Sequence, residues 1–353
     1  MKGYLVLENG KVFEGKRFGA TGDVIAEIVF TTGMTGYLET LTDKSYTGQM
    51  VVQTFPLIGN YGVIPSDFES DEIGPSGYIV KEWCQIPSNF RSEGNLDTFL
   101  LERGVPGLSG VDTRSLTKLI REAGALGACI TDEPDKVDFA ALKAYRITGK
   151  VAQVSAKQAY TVQAEQENYR VALLDYGVKT SIIKELVKRG CTVTVLPHNT
   201  TAADVLALNP DGIVLSNGPG NPTENVAEIA TIKELLGAEV PIFGICIGHQ
   251  LLALANGFET GKLGGGHRGS NQPVRSSETG KVYITSQGHQ HVVLRESVSG
   301  TGAVFFEHAN DQSCEGIRYL NAPAFSVQFH PEASAGPLDT QFLFDDFMKM
   351  MEG

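Results

Sequence analysis

The residues best suited to chemistry lie in one short segment, Gly244-Ile245-Cys246-Ile247-Gly248-His249-Gln250. It follows the apolar run at 240–245 and precedes the helical run Leu251-Leu252-Ala253-Leu254-Ala255. A sulfur nucleophile between two glycines, at a strand-to-helix turn, has the logic of the Gly-x-Ser-x-Gly elbow, where small residues permit a strained bend that exposes the reactive side chain. The helix N-terminus behind the sulfur stabilises a thiolate through its dipole and unpaired amides. A buried cysteine is more often a small hydrophobe, and that reading is kept for Cys84, Cys129, Cys191 and Cys314. For Cys246 the flanking glycines favour the chemical reading.

A thiolate that attacks an amide needs a base, an oxyanion site and a group that orients the base. Near the C-terminus the apolar run Pro323-Ala324-Phe325-Ser326-Val327 ends in Gln328-Phe329-His330-Pro331-Glu332. His330 and Glu332 stand two positions apart, so a strand end points both to one side. The backbone N–H of Ile247, just after the nucleophile, is the expected first oxyanion donor. The turn Ser216-Asn217-Gly218-Pro219-Gly220-Asn221-Pro222 offers the second, although Gly-Pro-Gly alone is equally a tight connection. His249 has no Cys/His ligand spacing beside it and is read as a helix-start histidine, so no metal is expected.

The elements that must position these groups fall into two patterns. At the N-terminus, Glu8-Asn9-Gly10 between short apolar runs predicts a hairpin, residues 24–30 a further strand, and Leu116 to Ala123 a helix behind the capping types Asp112, Thr113 and Ser115. This half is expected to be β-rich and mixed. From 169 onward, short apolar strands (171–174, 192–196, 212–215, 240–245) alternate with helical patterns (181–189, 202–208, 224–236). That rhythm predicts an α/β fold with a mostly parallel sheet and helices on both faces. Between the two, the stretch 148–168 is polar and lacks sustained apolar periodicity. The expected organisation is therefore an N-terminal domain over 1–147, a linker over 148–168 and a C-terminal domain over 169–353.

Composition narrows the classes further. The chain has 353 residues, 42% hydrophobic and 20% charged, which suits two globular domains and argues against disorder. A net charge of −12 makes a phosphate backbone a poor partner, which sets nucleic acid aside. No apolar stretch is long enough to cross a bilayer, and Glu8 arrives too early for a secretory signal, so a cytoplasmic protein with no membrane role is expected. An odd number of cysteines, five, without a Cys-x-x-Cys pair, does not suggest a disulfide frame.

The second half resembles the class I, triad-type glutamine amidotransferases in Gly244 to Gln250, Asn217 to Pro222 and His330-Pro331-Glu332. The resemblance implies Cys246, His330 and Glu332 as the triad, Gly218 and Ile247 as oxyanion amides, and Gly220 and Gln250 as further contacts to glutamine. The first half resembles the N-terminal domain of the carbamoyl-phosphate synthase small-subunit family. Phe30-Thr31-Thr32-Gly33-Met34-Thr35-Gly36-Tyr37, Leu41-Thr42-Asp43-Lys44-Ser45-Tyr46, Ile58-Gly59-Asn60-Tyr61-Gly62, Ser88-Asn89-Phe90-Arg91 and Val111-Asp112-Thr113-Arg114 carry it, so the match spans almost the whole chain.

By that resemblance Ser45 contributes to the glutamine site, and Gly288, Gln290 and His291 belong to a loop touching the substrate's amino-acid end. There the chain has Gly288-His289-Gln290-His291 where the family usually has Asn-His-Gly-Phe. It also carries Lys44 for a usual proline and Ile247 for a usual leucine. His267 and Asn271 resemble parts of a nearby loop and are expected to position rather than react. The implied activity is glutamine hydrolysis through a γ-glutamyl thioester, with ammonia delivered to a large ATP-dependent subunit for carbamoyl phosphate synthesis, which feeds arginine and pyrimidine synthesis. No Gly-x-x-x-x-Gly-Lys-Ser/Thr loop is present, so the chain itself is expected to use no cofactor, and ATP and Mg²⁺ fall to the partner. The competing readings are an amidotransferase serving another acceptor synthetase and a non-catalytic regulatory subunit.

Overall fold

The computed structural model describes residues 1–353. The chain divides into two compact units, Met1–Ile147 with Gly264–Arg268, and Thr148–Leu263 with Gly269–Gly353.

In the first unit, β1 (Lys2–Leu7) and β2 (Val12–Gly19) form the hairpin that Asn9-Gly10 predicts. Gly10 takes a φ of 85°, and its N–H donates to the Leu7 carbonyl at 2.9 Å. Five more strands follow: β3 (Val24–Thr31), β4 (Gln49–Gln53), β5 (Gly77–Ile79), β6 (Pro106–Ser109) and β7 (Leu126–Thr131). They close a barrel in the order β1-β2-β6-β5-β4-β3-β7, with β7 pairing back onto β1. Alternation at period two sorts the side chains. Leu5, Leu7, Ala26, Ile28, Met50 and Val52 share one cluster. Val29, Val51 and Tyr78 face the other way, against Leu38 and Leu41 of helix Tyr37–Thr42 and Leu96, Phe99 and Leu100 of helix Leu96–Glu102. The predicted capped helix is Thr113–Ala123, where the Asp112 carboxylate accepts from the Ser115 N–H at 3.0 Å.

The second unit is built on β8 (Tyr160–Val162), β9 (Tyr169–Asp175), β10 (Cys191–Pro197), β11 (Gly212–Leu215), β12 (Ile242–Ile245), β13 (Thr260–Ser276), β14 (Val282–Val293), β15 (Gly302–His308), β16 (Cys314–Tyr319) and β17 (Ala324–Val327). They form a ten-stranded sheet in the order β8-β10-β9-β11-β12-β17-β16-β14-β13-β15. The run β10-β9-β11-β12-β17 is parallel. Its strands are apolar on both sides because both faces are covered. Ala172, Leu174, Ile213 and Leu215 pack against helices Ala202–Ala207, Val226–Leu236 and Ile247–Ala255. Val171, Leu173, Val214 and Phe243 pack against helices Thr180–Lys188 and Phe342–Glu352.

Beyond β17 the sheet continues through antiparallel strands that the alternating pattern did not announce. Polar and glycine-rich residues dominate β13, so its apolar signal is weak. The expected linker over 148–168 is also corrected. It folds with the second unit, as helix Lys150–Val154, which buries Val151 and Val154, and as edge strand β8, antiparallel to β10. An edge strand has one unpaired side and keeps a polar sequence, so composition alone reads it as a connection. Conversely, Gly264–Arg268 groups with the first unit, a return of the chain that a boundary drawn on composition does not reveal.

Phe243 sits in the middle of the parallel sheet, fully buried, stacked on Phe325 with ring centroids 4.4 Å apart and edge-on to Phe344 at 5.6 Å. Phe243→Ala is expected to destabilise the second unit by about 3–5 kcal/mol. Urea titration followed by circular dichroism checks this, and a loss below about 1 kcal/mol would show that the ring is not part of a close-packed core.

Candidate active site

β12 ends at Ile245, and the next residue, Cys246, turns the chain into helix Ile247–Ala255. Its backbone adopts φ 56° and ψ −109°, the left-handed side of conformational space that costs an L-residue roughly 1–3 kcal/mol. Three contacts hold it there. The Cys246 N–H donates to the Val327 carbonyl at 2.9 Å, and the Cys246 carbonyl accepts from the N–H groups of His249 and Gln250 at 3.1 and 3.2 Å. The flanking glycines are required by space. A Cβ on Gly248 would meet the Leu215 carbonyl oxygen at 2.2 Å, and one on Gly244 would meet the Gly248 oxygen at 2.8 Å.

His330 follows β17, its N–H donating to the Ser286 carbonyl at 3.0 Å. Its Nδ1 lies 2.7 Å from Glu332 Oε1, and the Cys246 side chain also favours its charged form. The pairing of His330 with Glu332 arises from a turn and not from an extended strand end: the Ala333 N–H returns to the His330 carbonyl at 3.1 Å. All three side chains are buried. Burial pushes the His330 imidazole towards neutrality, but the Glu332 charge and the neighbouring Cys246 side chain outweigh it and raise its pKa from 6.5 to about 10. Burial likewise pushes Glu332 towards its neutral acid, and Lys179 and His330 overcome it, lowering the pKa from 4.5 to about 2. The imidazolium and the carboxylate are therefore the resting forms at neutral pH.

Three of the other cysteines are held protonated by burial. Burial raises Cys129 to about 11 and Cys191 and Cys314 to about 12, which keeps them as thiols. His249, fully buried with Nδ1 2.7 Å from Ser326 Oγ, is lowered by burial to about 3 and stays neutral.

Around the turn, Gly218 and Gly220 occupy the loop after β11, whose Ser216 carbonyl accepts the Gly248 N–H at 3.1 Å. Ile247 is the first helical residue, so its N–H has no intrahelical partner. Gln250 lies one turn after Cys246 and commits both amide protons, to the His291 carbonyl at 2.7 Å and Gln328 Oε1 at 2.8 Å. Through that bond the Gly288–Gln290–His291 stretch of β14 is tied to the helix that follows Cys246. Ser45 belongs to the first unit, in the 3₁₀ turn Lys44–Tyr46, its N–H bonded to Asp43 Oδ1 at 2.8 Å. His267 is also in the first unit, and Asn271 is exposed on β13.

Two family descriptions match the chain: carbamoyl-phosphate synthase small chain, CPSase domain, over residues 5–130, and glutamine amidotransferase class-I over residues 172–350. A carbamoyl phosphate synthase small chain of Streptococcus agalactiae serotype III (strain NEM316) is 48% identical over 355 residues, covering 100% of this chain and 98% of its own length. That of Bacillus caldolyticus is 51% identical over 355 residues, covering 99% and 97%. Among solved structures, a glutamine amidotransferase from Thermotoga maritima aligns with 53% of this chain and 85% of its own, at 18% identity and a TM-score of 0.38. The chain belongs to the carbamoyl-phosphate synthase small-chain family.

In this small-chain family member one residue at the site was not anticipated. Lys179, buried, donates from Nζ to Glu332 Oε1 at 3.0 Å and to the carbonyls of Ala333 and Ser334 at 2.9 and 3.2 Å. Its only sequence signal is a charged residue directly after the apolar strand β9 and its Gly177 turn, which reads as solvent-facing.

The two shifts fix a pH window. Glu332, depressed, contributes stability above its ordinary 4.5 and loses it as pH falls towards about 2. His330, raised, contributes fully below its ordinary 6.5 and loses it as pH rises through about 10. The stability difference between the small chain and its His330→Ala, Glu332→Ala double variant is therefore expected to peak between 4.5 and 6.5 and to shrink on both sides. Chemical denaturation across pH measures it, and a pH-independent difference would contradict the charged pair.

Proposed function

We propose that the chain hydrolyses glutamine at Cys246 and supplies the ammonia to a separate large, ATP-dependent carbamoyl-phosphate synthase chain. The observation that supports this reading best is the buried His330 imidazole, 2.7 Å from the Glu332 carboxylate and favoured in its charged form by Glu332 and Cys246 together. The thiolate attacks the carboxamide carbon, forming the C–S bond and moving the carbonyl electrons onto oxygen. In this reading the N–H groups of Ile247 and Gly218 receive that oxyanion. As it collapses, the C–N bond breaks and the imidazolium proton passes to the departing nitrogen, leaving ammonia and a γ-glutamyl thioester.

Neutral His330 then takes a proton from water, whose oxygen attacks the thioester carbon. Cleavage of the C–S bond releases glutamate and restores thiolate and imidazolium. Glu332 holds the ring orientation and balances its charge throughout. Thiolate chemistry of this kind needs no metal or cofactor in this chain, and ATP and Mg²⁺ serve the large chain. Within the second unit, glutamine is held by Gly218, Gly220, Ile247, Gln250 and the Gly288, Gln290 and His291 stretch. No helix is long and apolar enough to cross a membrane, which accords with a cytoplasmic complex.

Cys246→Ser is expected to lower glutamine hydrolysis by about 10³-fold or more, while carbamoyl phosphate synthesis from added ammonia by the complex with the large chain persists. Unchanged glutamine turnover would remove Cys246 from the mechanism. Isolation of the chain with a different synthetase, making another amidated product, would reassign the acceptor.

A further inference from the structure

Asp175 closes β9 and is 3% exposed, a carboxylate taken out of water without an ammonium or guanidinium beside it in its hydrogen bonds. It is satisfied entirely by backbone. Oδ1 accepts from the N–H groups of Gly177 and Val178, both at 2.8 Å, and Oδ2 accepts from the Ala156 N–H at 2.8 Å. A desolvated carboxylate is costly, and three donors converging on it fix the turn that follows to a single shape.

That turn lies against the loop after the neighbouring parallel strand β11. The Tyr176 N–H donates to Ser216 Oγ at 2.9 Å, and the Lys179 N–H donates to Asn217 Oδ1 at 3.1 Å. Between these bonds the two backbones touch. A Cβ on Gly218 would stand 2.0 Å from the Tyr176 oxygen, and one on Gly177 would stand 3.2 Å from Gly218 Cα. Any relaxation of the turn is passed directly to Gly218. At its far end, Lys179 carries Nζ to Glu332.

We propose that Asp175 is a positioning residue for glutamine hydrolysis, fixing the turn that seats both Gly218 and Lys179. It touches no reacting atom and acts at two points through one bend: the amide that receives the oxyanion and the ammonium that faces the triad carboxylate. Such control is felt in the rate of the chemical step more than in substrate affinity, because a small misplacement of a group engaged in the transition state costs rate. The inference rests on Cys246 as the nucleophile.

The test is steady-state glutamine hydrolysis by the full-length chain carrying Asp175→Ala or Asp175→Asn, with Cys246→Ser run in parallel. Alanine removes both acceptor oxygens and with them all three bonds, whereas asparagine keeps an oxygen for Gly177 and Val178 and places an amide opposite Ala156. A graded loss in kcat is expected, about 30-fold for alanine and about threefold for asparagine, with KM for glutamine within about twofold in both. Folded D175A with kcat within about twofold of wild type overturns the proposal, as does either variant changing KM in place of kcat. If D175A does not fold, D175N decides: a kcat about threefold lower at constant KM supports the proposal, and wild-type kcat overturns it. Cys246→Ser separates the two levels, since full activity there sinks the nucleophile assignment itself, whatever Asp175 does.

Discussion

The conformation of Cys246 is the constraint around which the second unit is arranged. A side chain at φ 56° is strained, and the surroundings must over-determine it. The N–H bond to Val327 anchors the turn on the β17 side, Gly248 presses backbone to backbone against Leu215 on the β11 side, and the Ile247–Ala255 helix begins immediately behind. The result is sulfur held off the sheet, at the C-terminal ends of parallel strands, where open α/β sheets leave a crevice for ligands.

Electrostatics extend the arrangement beyond three residues. His330, Glu332 and Lys179 are linked by hydrogen bonds in a buried setting, and Cys246 acts on the same imidazole. Low polarity makes each contact stronger and each missing partner more costly. Lys179 serves two needs at once. It balances a carboxylate that would otherwise be buried against the imidazole alone, and its other bonds engage the carbonyls of Ala333 and Ser334, both at positive φ. The strained residues after Glu332 are thus tied to the same ammonium that pairs with its carboxylate.

The elbow was legible in the sequence because its requirements are local. Two glycines, a cysteine and the change from strand to helix all fall within Gly244 to Gln250, and the short parallel strands around it are apolar enough to show their period. The His330 and Glu332 pair was legible by type and spacing, although a turn brings them together where a strand was assumed. The polar edge strand Tyr160–Val162 and the long antiparallel strands β13 and β14 were not, since half-exposed strands carry little apolar signal. Lys179 and Asp175 were not, because a buried ion and a backbone-satisfied carboxylate read, residue by residue, as surface charge. Their meaning comes from partners 153 and 19 positions away.

Chemical trapping tests the central claim most directly: the intact chain is exposed to a glutamine analogue bearing an electrophilic carbon in place of the carboxamide, and the adduct is mapped by peptide mass spectrometry. Covalent modification confined to Cys246, and suppressed by excess glutamine, is the predicted result. An adduct on Cys84, Cys129, Cys191 or Cys314 with Cys246 unmodified would contradict it.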